Sequence, residues 1–194
     1  MVDRSGQFEK KKAIAAKFKE YFFNYGMVDT IISDVTQDMH ISKKTFYKYF
    51  PGGKQECLYY IFFEIAKQSK KEIEQVITSS ETIAKNLSNL FQKIFELVLP
   101  YVYGNKAQSR EDYLIENQIV GNAYADVLSD TIKGFLRRGR EANQFHFDNL
   151  DLTYEAITAI VKKSIALIHD IQNEKEEVAT IQQETIDLIL KILN

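Results

Sequence analysis

Cysteine is almost missing from this chain. Cys57 is the single cysteine among 194 residues, so no intrachain disulfide can form, in keeping with a reducing cytoplasm. Its apolar neighbours mark the thiol as buried and inert. Proline and glycine are also scarce, at 2 and 8, which suits long helices around an aromatic core. No apolar run is long enough to span a bilayer. The charged N-terminus lacks the apolar core of a signal peptide, so a cytoplasmic chain with no membrane partner is expected. Repeats and low-complexity tracts are absent. So are nucleophile motifs and Gly-rich phosphate loops. His40, His146 and His169 stand far apart, none at a metal-ligand spacing from Cys, Asp or Glu. The chain is therefore read as a non-enzyme with no catalytic residue, metal or cofactor.

What is present is helix-forming. Hydrophobic residues make up 45% and charged ones 27%, with 13 Phe and 11 Tyr, ordinary for a globular protein rich in aromatics. The net charge of −2 hides a division: residues 1–60 carry ten Lys or Arg against seven Asp or Glu, and the remainder carries 15 against 20. A mildly basic head on an acidic body suits nucleic-acid contact at one end only. Residues 1–8 read as frayed, and a helix over 9–25 ends at Gly26. Beyond the head, helical periodicity predicts 55–78, 81–99, 110–120, 123–142, 152–172 and 174–193. Pro100 ends or kinks one of these helices. Asn173 with Glu176 forms a candidate capping box. Acidic residues over 111–130 read as a solvated helix surface. Lys10, Lys11 and Lys12 serve either a flanking phosphate or simply a solvated helix start.

The stretch with chemistry is TIISDVTQDMHISKKTFYKYFPGGK, Thr30 to Lys54. Ile31, Ile32, Val35 and Met39 recur at helical spacing, Thr30 is the cap candidate, and Asp34 sits near the first turn. Ser42 caps a second helix that Pro51, Gly52 and Gly53 stop. Two short helices and a tight turn describe a helix-turn-helix. On the second helix Ile41, Phe46 and Phe50 face inward, which leaves Lys43, Lys44, Thr45, Tyr47, Lys48 and Tyr49 facing out. Lysines neutralise phosphates and release counterions. Hydroxyls of Thr and Tyr meet phosphate oxygens or base edges, and the free N–H groups at Ser42 to Lys44 suit a phosphate.

These residues resemble the tetracycline-repressor (TetR) family of bacterial regulators. Phe22, Gly26 and Thr30 match the first part of the family pattern, Asp34-Val35 its Asp-Ile, and Ile41-Ser42-Lys43 its Val-Ser-Lys. Thr45-Phe46-Tyr47-Lys48-Tyr49-Phe50-Pro51 is a near-complete match, and Lys54 stands for the lysine that follows. The resemblance covers residues 13–58, roughly the first third of the chain. His40 replaces the turn glycine, Met39 and Thr36 replace two alanines, and one residue is added at Gly52-Gly53.

The resemblance implies an all-α fold, with a three-helix helix-turn-helix head over 1–54 on a helical effector-binding and dimerisation domain over 55–194. It implies a homodimeric, DNA-binding transcriptional regulator, a repressor released by a small molecule. Lys43, Lys44, Thr45, Tyr47 and Tyr49 are the expected direct contacts, with Thr30, Lys48 and Lys54 on phosphates and Ser42 at the helix start. Dimerisation is expected through the apolar stripes of about 152–193. Phe62, Phe91, Phe95, Tyr101, Tyr113, Tyr124 and Phe135 either line a pocket for an apolar or aromatic effector or are plain core. The alternative is a helical ligand-binding or interaction protein whose head no longer binds DNA, a reading motivated by His40 and the extra loop residue.

Overall fold

The computed structural model describes residues 4–75, 77, 81–104, 109–171 and 175–194. Among them the chain is helical throughout: α1 Arg4–Tyr25, α2 Ile32–Asp38, α3 Lys43–Tyr49, α4 Gly53–Gln75, α5 Ile83–Gly104, α6 Arg110–Glu141, α7 Leu150–Asp170 and α8 Lys175–Leu193. The all-α class expected from the sequence is the class observed, and no described helix is long and apolar enough to cross a membrane.

Several boundaries differ from expectation, α4 starting at Gly53 and α5 at Ile83 among them. The first helix starts at Arg4, earlier than residue 9. α5 carries Pro100 inside it and runs on to Gly104; a proline removes one N–H but this near the end leaves little helix to lose. The expected helices 110–120 and 123–142 are one element of 32 residues. Gly121 costs an exposed helix about 1 kcal/mol, too little to break it, and Gln118 Nε2 donates to Asn122 Oδ1 (2.9 Å) across the glycine. α7 begins at Leu150, because the Asn149 side chain accepts from the Leu152 N–H (2.9 Å) and caps it there. The expected cap at Asn173 lies outside the described residues.

The chain forms two compact units. The first takes Met1–Ile65 with Gly104–Ala123, and so contains the whole expected head and more; the second takes Ala66–Tyr103 with Tyr124–Asn194. The core of the first unit is a run of rings. Phe18 stacks on Phe46 at 4.4 Å between centroids, Phe46 meets Phe50 at 5.6 Å, and Phe50 meets Tyr60 edge-on at 5.7 Å. Phe18, Phe46 and Phe50 are fully buried, so a large apolar area is removed from water by few residues. Cys57 is buried beside them, and burial pushes its thiol pKa up, away from reactivity.

The second unit is built mainly from aliphatic stripes. Ile157, Val161, Ile165 and Ile168 of α7 and Val178, Ile186, Ile189 and Leu193 of α8 are buried, at the spacing that puts one helix face inward. Within the α7–α8 packing the Thr185 hydroxyl meets Ser164 Oγ at 2.7 Å, and Ser164 in turn donates to the Ile160 carbonyl. At the end of α6, Asn143 adopts φ 53. The N–H groups of Gln144 and Asn143 donate back to the carbonyls of Gly139 and Arg140, at 2.8 and 3.0 Å. This is the Schellman closure of a helix. It folds the Phe145 ring onto Gly139 so tightly that a Cβ there would fall inside the ring.

Candidate nucleic-acid interface

α2 and α3 are only seven residues each, too short to persist without support. Their geometry comes from caps and from the rings beneath. α2 closes with a Schellman motif: the Ile41 N–H donates to the Thr36 carbonyl and the His40 N–H to the Gln37 carbonyl, both at 2.9 Å. His40 sits at φ 53, the left-handed conformation the turn needs, which His enters more readily than most side chains. His40 thus supplies the left-handed backbone that the turn glycine would be expected to supply. α3 opens with Ser42, whose Oγ accepts from the Thr45 N–H (3.1 Å) and shares a hydrogen bond with Thr45 Oγ1 (2.9 Å). Ser42 and Thr45 are therefore the cap of the helix as well as part of its outer surface. The added glycine is used too: Gly53 takes φ 70 and the Gly52 N–H donates to Glu56 Oε2 (2.8 Å), which starts α4.

The faces sort as the spacing predicts. Phe46 and Phe50 are buried; Lys43, Lys44, Tyr47 and Lys48 are exposed, Thr45 and Tyr49 partly so. Tyr47 keeps 47% of its surface in solvent, unusual for a ring with a core close by. No carboxylate lies on α3. The exposed face is thus three ammonium groups interleaved with phenols.

Two of the expected contacts are engaged with the α1–α2 turn. Thr30 is buried and its hydroxyl donates to the Gly26 carbonyl (2.7 Å). It does not cap α2 either; the N-cap is Ile31, with no side-chain bond. Lys54 Nζ donates to the carbonyls of Val28 (2.6 Å) and Thr30 (3.0 Å). Burial lowers its pKa, opposed by the nearby Asp29 and Glu116. Both residues hold the α1–α2 turn, whose carbonyls need partners once covered. Of the lysine run, Lys11 lies 4.8 Å from the ring centres of both Phe50 and Tyr60, with Glu56 at 3.9 Å, an internal cation–π contact.

Sequence reasoning missed Glu116. It is not part of a solvated helix surface. It is buried, and its Oε1 accepts from the backbone N–H of Met27 at 2.9 Å. No clear signal marked it: the stretch Leu114-Ile115-Glu116-Asn117-Gln118-Ile119 mixes apolar and polar residues, and Leu114 and Ile115 beside it are exposed.

Of the seven expected pocket rings, Phe62 and Tyr113 belong to the first unit and Phe91, Phe95, Tyr101, Tyr124 and Phe135 to the second. All but Tyr101 are buried. Burial, then the neighbouring Tyr101, push the Tyr124 phenol pKa up, while Ser69 pulls it down. An open groove of about 410 Å3 in the first unit is lined by Gln55, Glu111, Leu114, Ile115, Gln118 and Ile119, and by none of those rings.

Neither a protein-family model nor a curated protein matches the sequence. Solved structures do match the fold. The chain superposes on RolR bound to resorcinol with a TM-score of 0.76, over 97% of this chain and 89% of that one, at 15% identity. Its fold is that of the TetR regulators. The Thermus thermophilus FadR, a TetR-family repressor in complex with lauroyl-CoA, shares this fold at a TM-score of 0.64 and 18% identity, covering 95% of both chains. So does the fatty acid degradation regulator FadR of Bacillus halodurans, at 0.62 and 15%, over 93% of this chain and 94% of that one. In this TetR fold α2 and α3 form the helix-turn-helix.

Proposed function

We propose that this chain is a DNA-binding transcriptional regulator that works as a homodimer in the cytoplasm and responds to a small molecule. One observation carries the reading: the exposed face of α3 offers Lys43, Lys44, Tyr47 and Lys48 with no acid among them. Lys43, Lys44, Tyr47 and Tyr49 reach base edges or nearby phosphates, Lys48 a phosphate, and Ser42 and Thr45 present the capped helix start. Two copies of α3 held about 34–36 Å apart would enter successive major grooves on one face of the duplex.

The second copy docks through α7 and α8. Leu167, Leu188 and Ile192 on these helices remain 42–46% exposed, and apolar side chains left outward on two packed helices suit a four-helix interface. The effector is a small apolar or aromatic molecule, for which the rings of the second unit supply surface. RolR and FadR, which share the fold, bind resorcinol and acyl-CoA. The regulator is released from DNA, as a repressor would be, to the extent that the effector prefers the DNA-free state.

Fluorescence anisotropy on DNA from upstream of the chain's own gene, across a salt series, tests the reading. Selective binding of two chains per site, weakening steeply with salt, is the expected result. Lys44→Ala should lower affinity and flatten the salt slope by about one ion. Tyr47→Phe should lose less than Tyr47→Ala. Binding that is weak and equal on scrambled DNA at every operator tried would favour a helical ligand-binding protein whose head no longer binds DNA.

A further inference from the structure

The turn between α1 and α2, Gly26 to Ile31, is held from two sides by opposite charges. From α4, Lys54 donates to the carbonyls of Val28 and Thr30. From α6, Glu116 accepts from the N–H of Met27. The two jaws are complementary in kind: an ammonium can serve only carbonyls, and a carboxylate only N–H groups. Met27 anchors the turn between them, the residue being 4% exposed. Glu116 is itself 5% exposed and lies 89 residues from its partner in sequence. A buried carboxylate is costly unless its hydrogen bonds are made, so the bond fixes both ends. All five residues, Met27, Val28, Thr30, Lys54 and Glu116, belong to one compact unit.

We propose that Glu116 is a positioning residue for DNA recognition: its bond to Met27 sets where the α1–α2 turn stands, and with it the entry of α2 and the presentation of α3. The proposal rests on the regulator reading above. The chain of contacts is short. α2 starts at Ile32 directly after the turn, with Ile31 as a cap that has no side-chain bond of its own. The helix therefore inherits its start from the turn rather than from a local cap. α3 follows α2 through the His40 Schellman closure, a fixed turn. The unit's rings hold α3 against α1 at Phe18 and Phe46, but a ring stack does not define the turn. The Glu116 and Lys54 bonds do.

Substitutions at Glu116 separate bond from charge. Glu116→Gln keeps an acceptor of the same length and loses the charge. Glu116→Asp keeps the charge and draws the acceptor back by one methylene. Glu116→Leu loses both. The probe is a duplex selected from a random-sequence pool by the wild-type full chain, with Kd measured on titrated active protein, and amide exchange of Met27 and of residues 28–45 followed in DNA-free protein. We expect Leu and Asp to speed exchange at Met27 and to weaken binding about tenfold, since a buried donor is left without a partner. Gln should stay within about threefold of wild type, because its carbonyl still accepts from Met27. A lower melting temperature with Kd unchanged would make Glu116 merely structural and overturn the proposal. Equal losses in Gln and Leu would overturn it too. Should the Leu chain not fold, Asp against Gln makes the same comparison. If the wild type selects no duplex, the regulator reading falls, and the exchange data still report separately whether the Glu116 bond holds the turn.

Discussion

The helix-turn-helix and the α7–α8 pair use opposite strategies. α2 and α3 are seven residues each and owe their form to side-chain caps, a positive-φ histidine and a few large rings. α7 and α8 have 21 and 19 residues and bury aliphatic stripes along their length, with the Thr185–Ser164 hydrogen bond among them. Their outer faces differ as well. α3 shows lysines and a tyrosine, while α7 and α8 show Leu167, Leu188 and Ile192. For its folding, a short element held by caps and a few rings can tolerate few substitutions inside and many outside. For long amphipathic elements the reverse holds, since each inner contact is one of many and the outer apolar residues define the association.

The largest effect should come from the ring core. Phe46→Ala removes a fully buried ring that touches Phe18 and Phe50. It should cost about 3–5 kcal/mol in denaturant unfolding. A loss below about 1 kcal/mol would mean that the head does not depend on concentrated packing.

The second unit has its own point of concentration. Gly139→Ala puts a methyl into the Phe145 ring. A loss of about 1–3 kcal/mol is expected, as for overpacking elsewhere, and Phe145→Leu in the same chain should recover part of it. If alanine is tolerated without loss, the closure of α6 is looser than the contact implies.

Thr185→Val probes whether α7 and α8 are held by apolar area alone. The change keeps shape and removes the hydroxyl that meets Ser164, so a loss of about 1 kcal/mol should appear in urea melts. No loss would make the pair a purely aliphatic contact.

The smallest effect belongs to the surface. Lys133 Nζ lies 2.6 Å from Asp151 Oδ1, and this partner holds the Asp151 carboxyl below its ordinary 3.8. The sign follows from linkage: a carboxyl with a lowered folded-state pKa adds stability above its ordinary value, and that stability fades as pH falls through the lowered one. Asp151→Asn should therefore lower the melting temperature slightly at pH 7 and by less at pH 2. An equal shift at both pH values would show that the asparagine disturbs something other than charge.

Legibility followed the range of the interactions. The inward set of Phe46 and Phe50 and the outward set of Lys43, Lys44, Tyr47 and Lys48 were readable, because a helix of 3.6 residues per turn sorts its own faces. Ser42 and the His40 turn were readable for the same local reason. Thr30 and Lys54 matched a motif, yet their polar groups serve the α1–α2 turn. A motif names residues but not which way each will spend its hydrogen bonds. Gly121 and Pro100 look like stops in a sequence, but a long packed helix outweighs a local cost of that size.

By itself the sequence determined what depends on near neighbours: an all-helical chain, the helix-turn-helix, and a basic, phenolic face on α3. It also determined that Cys57 would be inert, since an apolar run buries a thiol. Tertiary structure alone decided the fate of Glu116, Thr30 and Lys54. Their partners, or the burial that makes a partner necessary, come from other elements, and no spacing along the chain encodes a hydrogen bond between residues 27 and 116. A buried polar group must find a partner wherever the fold supplies one, and only the assembled fold shows where that is.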